Sequence, residues 1–177
     1  MNKNIKHLVF AALFAALIAV FTAFVKFPFG PGGYVHLGDI LIYLAASMLP
    51  LPYAMGAAAV GGMFADIIAG APLWAPATFI IKALLVIAFT CKKDKIICGR
   101  NIGAAGLGIV ITVVGYYFAE VILLTLNGDY ASYSVALGSA LLSAPWNILQ
   151  SVASGILFII IGFALDKAKI KQNLIER

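Results

Sequence analysis

The chain is 177 residues long, 63% hydrophobic and only 11% charged, against about a quarter charged in ordinary soluble domains. That balance excludes a soluble enzyme or soluble binding module and points to one polytopic membrane domain filling residues 1–177. The net charge of +5 comes from short basic segments without interleaved aromatics, a pattern that does not fit a nucleic-acid partner.

From the N-terminus, Met-Asn-Lys-Asn-Ile-Lys-His leads into an apolar stretch from Leu8 to Val25. That stretch exceeds the roughly 7–15 residues of a signal-peptide core, so a retained membrane helix is expected. Reading the polar, Gly and Pro breaks as turns gives six spans, about 6–26, 38–50, 52–70, 75–91, 102–126 and 139–165. The fold class expected is an all-α membrane protein of six transmembrane helices. The second span is short, reaching only about 20 Å as a helix, and Pro50-Leu51-Pro52 separates it from the third. Cys91 and Cys98 flank a basic loop at a spacing that fits neither a zinc site nor a redox pair, so reduced thiols and no metal are expected.

Ten of the twelve basic residues fall on one side if the chain crosses six times: Lys3, Lys6, Lys92, Lys93, Lys95, Arg100, Lys167, Lys169, Lys171 and Arg177. The positive-inside rule then places both termini in the cytoplasm. With that topology, every polar group within the spans lies outward of the midplane, and the inner halves are almost purely apolar. A one-sided cluster of costly groups suggests an outward-facing pocket.

The members of that cluster are His36 and Asp39 at the entry to span two, Asp66 in span three and Lys82 in span four. Tyr116, Tyr117 and Glu120 follow in span five, and Trp146, Asn147 and Gln150 in span six. Asp39 is placed to cap the first turn of span two, and His36 to touch ligand or close the pocket. Asp66 and Lys82, at similar depth on consecutive helices, are expected either to pair or to meet ligand. Ser143, Ser151 and Ser154 suit interhelical hydrogen bonds. Asn147 and Gln150, beside an aromatic wall at Trp146, suit a planar ligand. Tyr34, Trp74, Tyr130 and Tyr133 read as interfacial anchors. In span one, Ala11, Ala15 and Ala19 form one small-residue row, and Ala12 and Ala16 the next. Such rows permit close helix approach, either within this bundle or with a separate membrane protein.

The rows Ala-x-x-x-Ala, the segment G-Y-V-H-L-G-D, the run A-D-I-I-A-G-A-P-L-W-A-P-A-T-F-I-I-K-A-L and the hexapeptide P-W-N-I-L-Q together resemble the substrate-binding S-components of energy-coupling factor (ECF) vitamin transporters. The likeness covers nearly the whole chain and is moderately specific for the riboflavin-transporter-like branch. It implies a bacterial-type plasma-membrane protein without cofactor, whose pocket is built by outer loops and helices four to six. It also implies a mechanism: capture of a vitamin outside, docking through the helix-one alanines on a transmembrane coupling subunit, and toppling driven by two cytoplasmic ATPase subunits. No G-x-x-x-x-G-K-[ST] phosphate loop occurs in the chain, so ATP hydrolysis is expected of those partners.

By the same resemblance, Lys82 matches the family's helix-four lysine, and Asn147 with Gln150 stands where riboflavin-type members carry Asn-x-x-Lys. Gln150 departs from that pattern. Without the second cation, and with Glu120 able to accept charge-assisted hydrogen bonds from an amine, the expected ligand is hydroxymethylpyrimidine or a related thiamine precursor. Riboflavin, pyridoxine-like compounds and pantothenate are the alternatives. Competing readings are a small membrane enzyme using Asp39, Asp66 and Glu120, and a ligand-free membrane scaffold. The enzyme lacks paired histidines at metal-binding spacing, since His7 and His36 are the only two.

Overall fold

A computed structural model of the chain describes residues 2–29, 33–90, 92, 94–126, 128 and 132–173. Six helices carry it: α1 (Lys3–Phe24), α2 (Gly38–Met48), α3 (Leu51–Ile68), α4 (Ala75–Val86), α5 (Gly99–Leu126) and α6 (Tyr133–Lys167). Prolines set several boundaries, because the ring restrains the residue before it and suits a first helical turn. Pro50 precedes α3 with Pro52 in its first turn, and Pro76 lies in the first turn of α4 after a single 3₁₀ turn at Pro72–Trp74.

Four helices, α1, α3, α5 and α6, are long and apolar enough to cross a membrane. With 11 residues, α2 is about 16 Å long and falls short of a hydrocarbon core of about 30 Å. It compensates by position, packing against α1, α3, α4 and α6 with nearly every residue buried. Tyr43 of α2 forms the centre of the core, its ring against Phe89 and Phe158.

The helical bundle carries one short element that the reading of spans did not include. Lys26–Phe29 (β1) and Gly33–His36 (β2) form an antiparallel hairpin between α1 and α2, in register from Lys26 opposite His36 to Phe29 opposite Gly33. A two-stranded ribbon has two edges, so Pro28 interrupts no central ladder. The hairpin leads directly into α2, packs on α1, and through β2 also packs on α6.

The opposite end is pinned by polar side chains. Asp166 accepts from the backbone N–H groups of Ile96 and Ile97, at 2.7 and 2.9 Å. Asn101 donates to the carbonyls of Thr90 and Ile96 and accepts from the Thr90 N–H. The segment between α4 and α5 is thereby tied to both α5 and α6. Cys98 here is a free thiol, and Cys91 lies outside the described residues.

Within α1, the row Ala11, Ala15 and Ala19 turns toward the bundle, where α1 packs on α3. A Cβ at Gly61 of α3 would stand 2.7 Å from the Ala15 carbonyl oxygen and 2.9 Å from the Ile18 Cβ. The close packing of that row is used within the bundle, one of the two readings its spacing allows. Ala12 and Ala16 are the exposed row. Gly61→Ala is expected to lose about 1–3 kcal/mol to overpacking, more than the roughly 1 kcal/mol that alanine gains in helix propensity. Gly103→Ala, whose Cβ meets nothing within 4 Å, keeps the propensity gain alone. Thermal unfolding of the two variants in detergent should therefore shift in opposite directions.

Candidate substrate-binding site

At the hairpin end, β2, α2, α4 and α6 bring four polar side chains into one buried group. Lys82 Nζ donates to Asp39 Oδ1 at 2.6 Å, and Gln150 Nε2 donates to Asp39 Oδ2 at 3.1 Å. Asp39 is 0% and Lys82 1% exposed. A buried pair with each carboxylate oxygen separately satisfied meets the conditions under which charges persist in a low-dielectric interior. The lysine stem reaches this depth because α3 presents Gly62, where a Cβ would lie 2.9 Å from Lys82 Cγ.

His36 joins the group from the hairpin. Burial pushes its imidazole down to about 4, past the opposing pull of Asp39, so the ring is neutral near pH 7. Gly38 N–H donates to Nδ1 at 3.2 Å. Gln150 Nε2 lies 3.2 Å from His36 Nε2, so its amide stands between the imidazole and the Asp39 carboxylate.

Two expectations are overturned by this geometry. Asp39 does not cap α2: Leu37 occupies the N-cap position with no side-chain cap, and the Asp39 carboxylate turns instead to Lys82 and Gln150. The cause is energetic, since a buried ammonium without a counter-ion costs more than an uncapped turn. Nor does Lys82 pair with Asp66. Asp66 stands beside Thr78, within electrostatic reach of Lys82, but Asp39 holds the ammonium.

The other expected residues stand around this group or beyond it. Tyr116 takes Lys82 Nζ at 5.3 Å from its ring centroid and shares a hydrogen bond with Thr78 at 3.2 Å. Glu120, one turn farther along the same face of α5, is buried with no ion pair among the described residues. Asn147 is half-buried. Trp146 is 37% exposed, lying more to the surface than a pocket wall would. Trp74 stands closer to the polar group, its ring 6.3 Å from that of Tyr116. Its place in P-L-W-A-P, a tight turn before the lysine-bearing helix, is the sequence signal for that role. Tyr117 ties α5 to α6 through the Leu137 carbonyl. The side chain of Tyr34 and all of Tyr130 lie outside the described residues.

Ser151 and Ser154 do not make the interhelical bonds expected of them; their hydroxyls, with those of Tyr43 and Thr112, are buried without a hydrogen-bond partner. Two neighbouring α6 positions should consequently respond differently. Gln150→Leu removes a donor from Asp39 and is expected to cost about 1–3 kcal/mol, whereas Ser154→Ala removes an unpartnered hydroxyl and should be neutral or stabilising. Thermal unfolding of the purified subunit separates the two.

Among the described residues no set of three or more His, Cys, Asp or Glu gathers to hold a metal. The carboxylate and the cation at its centre are committed to each other, and the surrounding groups offer aromatic faces, hydroxyls and further carboxylates.

Comparison with known proteins places this arrangement. A solved structure described as the S component of a bacterial ECF transporter superposes with a TM-score of 0.70, covering 93% of this chain and 97% of that one. At 21% identity that likeness shows the fold. A Pyrococcus woesei protein named only as an uncharacterized protein in a gap 3′ region is 32% identical over 118 residues, 66% of this chain and 79% of its own. The family model described as ECF-type riboflavin transporter, S component, matches residues 2–167. The chain therefore belongs to the S-component family of ECF-type riboflavin transporters, substrate-binding membrane subunits and not enzymes.

Proposed function

We propose that this subunit captures an amino-substituted nitrogen heterocycle, a vitamin or vitamin precursor of the hydroxymethylpyrimidine type, at the extracytoplasmic end of the bundle. The observation that carries this reading is the charge balance. Lys82 is the one cation in the polar group and is bound to Asp39 at 2.6 Å, while Asp66 and Glu120 remain without ion pairs among the described residues. A site with carboxylates in excess favours ligands that donate hydrogen bonds and disfavours anions such as pantothenate. The aromatic faces of Trp74 and Tyr116 suit a flat ring.

Both termini lie in the cytoplasm on this reading, because Lys3, Lys6, Lys92, Arg100, Lys167 and Lys169 belong to the end opposite the hairpin. The loaded subunit docks on a transmembrane coupling subunit and topples to release its ligand inward, with two ATPase subunits supplying the energy. Riboflavin is the second reading, favoured by the family description itself.

Calorimetry with a panel of hydroxymethylpyrimidine, thiamine, riboflavin, pyridoxine and pantothenate tests the choice. Hydroxymethylpyrimidine is expected to bind most tightly and pantothenate not at all. Tightest binding of riboflavin overturns the substrate and retains the class; no binding of any panel member overturns both.

A further inference from the structure

The buried carboxyl of Asp66 has no part in the ion pair. It sits near the C-terminal end of α3, one turn beyond the Gly62 that makes room for Lys82. Asp66 is only 7% exposed, and its Oδ2 is fully buried with no hydrogen-bond partner. A buried carboxylate oxygen left without a donor is costly and uncommon. The neighbours leave it so: Lys82 is taken by Asp39, and the Thr78 hydroxyl, which donates to the Asp66 carboxyl and is shared with the Tyr116 hydroxyl at 3.2 Å, leaves Oδ2 without a partner.

Aromatic surface adjoins the same spot. Tyr116 connects through Thr78 to Asp66 on one side and to the half-buried Trp74 on the other, the two rings inclined at 47°. Trp74 follows closely after α3, in the turn that α3 itself contacts. An acceptor with an open valence next to two ring faces is a subsite for a flat group that carries an N–H donor.

We propose that Asp66 is the specificity-determining residue of this site, its Oδ2 accepting a hydrogen bond from the exocyclic amine of the bound heterocycle. This rests on the substrate reading above and moves the amine-recognising role from Glu120 to Asp66. The Lys82 ammonium, held nearby, disfavours a fully charged alkylammonium in the same place. A neutral aromatic amine supplies the donor without adding a second cation. A site built around such a donor rejects the analogue lacking it, because the carboxyl is then left unpaired.

The test compares hydroxymethylpyrimidine with the same pyrimidine lacking its exocyclic amine, by calorimetry on the full-length subunit in detergent. The wild type should prefer the amino compound by about tenfold or more. Asp66→Asn should cut that preference to about threefold or less, with the loss of affinity falling on the amino compound. Asp66→Ser removes the carboxyl without adding volume and serves if the amide variant does not elute as a folded, monodisperse species. An undiminished preference in either folded variant overturns the assignment, as does equal weakening of both compounds. Failure of the wild type to bind either pyrimidine while binding another vitamin overturns the substrate reading, and the assignment with it.

Discussion

Asp39→Ala is expected to destabilise the subunit by about 3–5 kcal/mol, the usual consequence of stranding one member of a buried pair. Lys82 would be left 1% exposed with its nearest contact removed, and Gln150 would lose the acceptor of its amide. Asp66 is within electrostatic reach of the ammonium and moderates the loss without cancelling it, since its carboxyl lies on a different helix and does not contact Nζ. The double variant Asp39→Leu with Lys82→Met should unfold close to the wild type, because an apolar pair of similar volume avoids the desolvation penalty. Ligand affinity should separate from stability in this pair of variants. The double variant regains folding yet lacks the polar group, so calorimetry should find hydroxymethylpyrimidine binding lost in both. Equal unfolding temperatures for the single and double variants would show that the charges are not coupled.

That coupling lies just beyond what the sequence makes legible. The spans could be read because their ends carry Pro50, Pro52, Pro72 and Pro76, and because apolar runs of membrane length have few other readings. Depth along each helix could be read as well, and it places His36, Asp39, Lys82, Tyr116 and Gln150 at the same end. Facing direction was not legible. Asp39 and Lys82 are 43 residues apart, and a carboxylate at the first turn of a helix has a local reading as a cap that needs no distant partner. The hairpin escaped for a different reason: K-F-P-F and G-Y-V-H are four residues each, too short for alternation to stand out, and Pro28 argues against a strand. Trp146 beside Asn147 suggested an aromatic wall, but α6 directs it toward the surface, and Trp74 from the proline-rich turn lies nearer the site.

The alanine rows of α1 show the same difficulty in a form that transport can resolve. Ala11, Ala15 and Ala19 pack on α3, while Ala12 and Ala16 continue an exposed row with Leu8 and Val20 at four-residue spacing. Two small side chains between larger ones make a shallow depression on the membrane-facing side of α1, suited to a helix of the coupling subunit. Ala16→Trp is therefore expected to reduce vitamin uptake by reconstituted complexes to background. Its ligand Kd should change by less than about twofold, since the site lies on other helices at the hairpin end and distant substitutions act independently. Ala15→Trp should behave otherwise. Its indole meets α3 where Gly61 already approaches the Ala15 carbonyl, so unfolding temperature, binding and uptake should fall together. If Ala16→Trp transports normally and Ala15→Trp folds, binds and yet fails to transport, docking belongs to the inward row after all, and α1 must turn about its axis when the coupling subunit engages it.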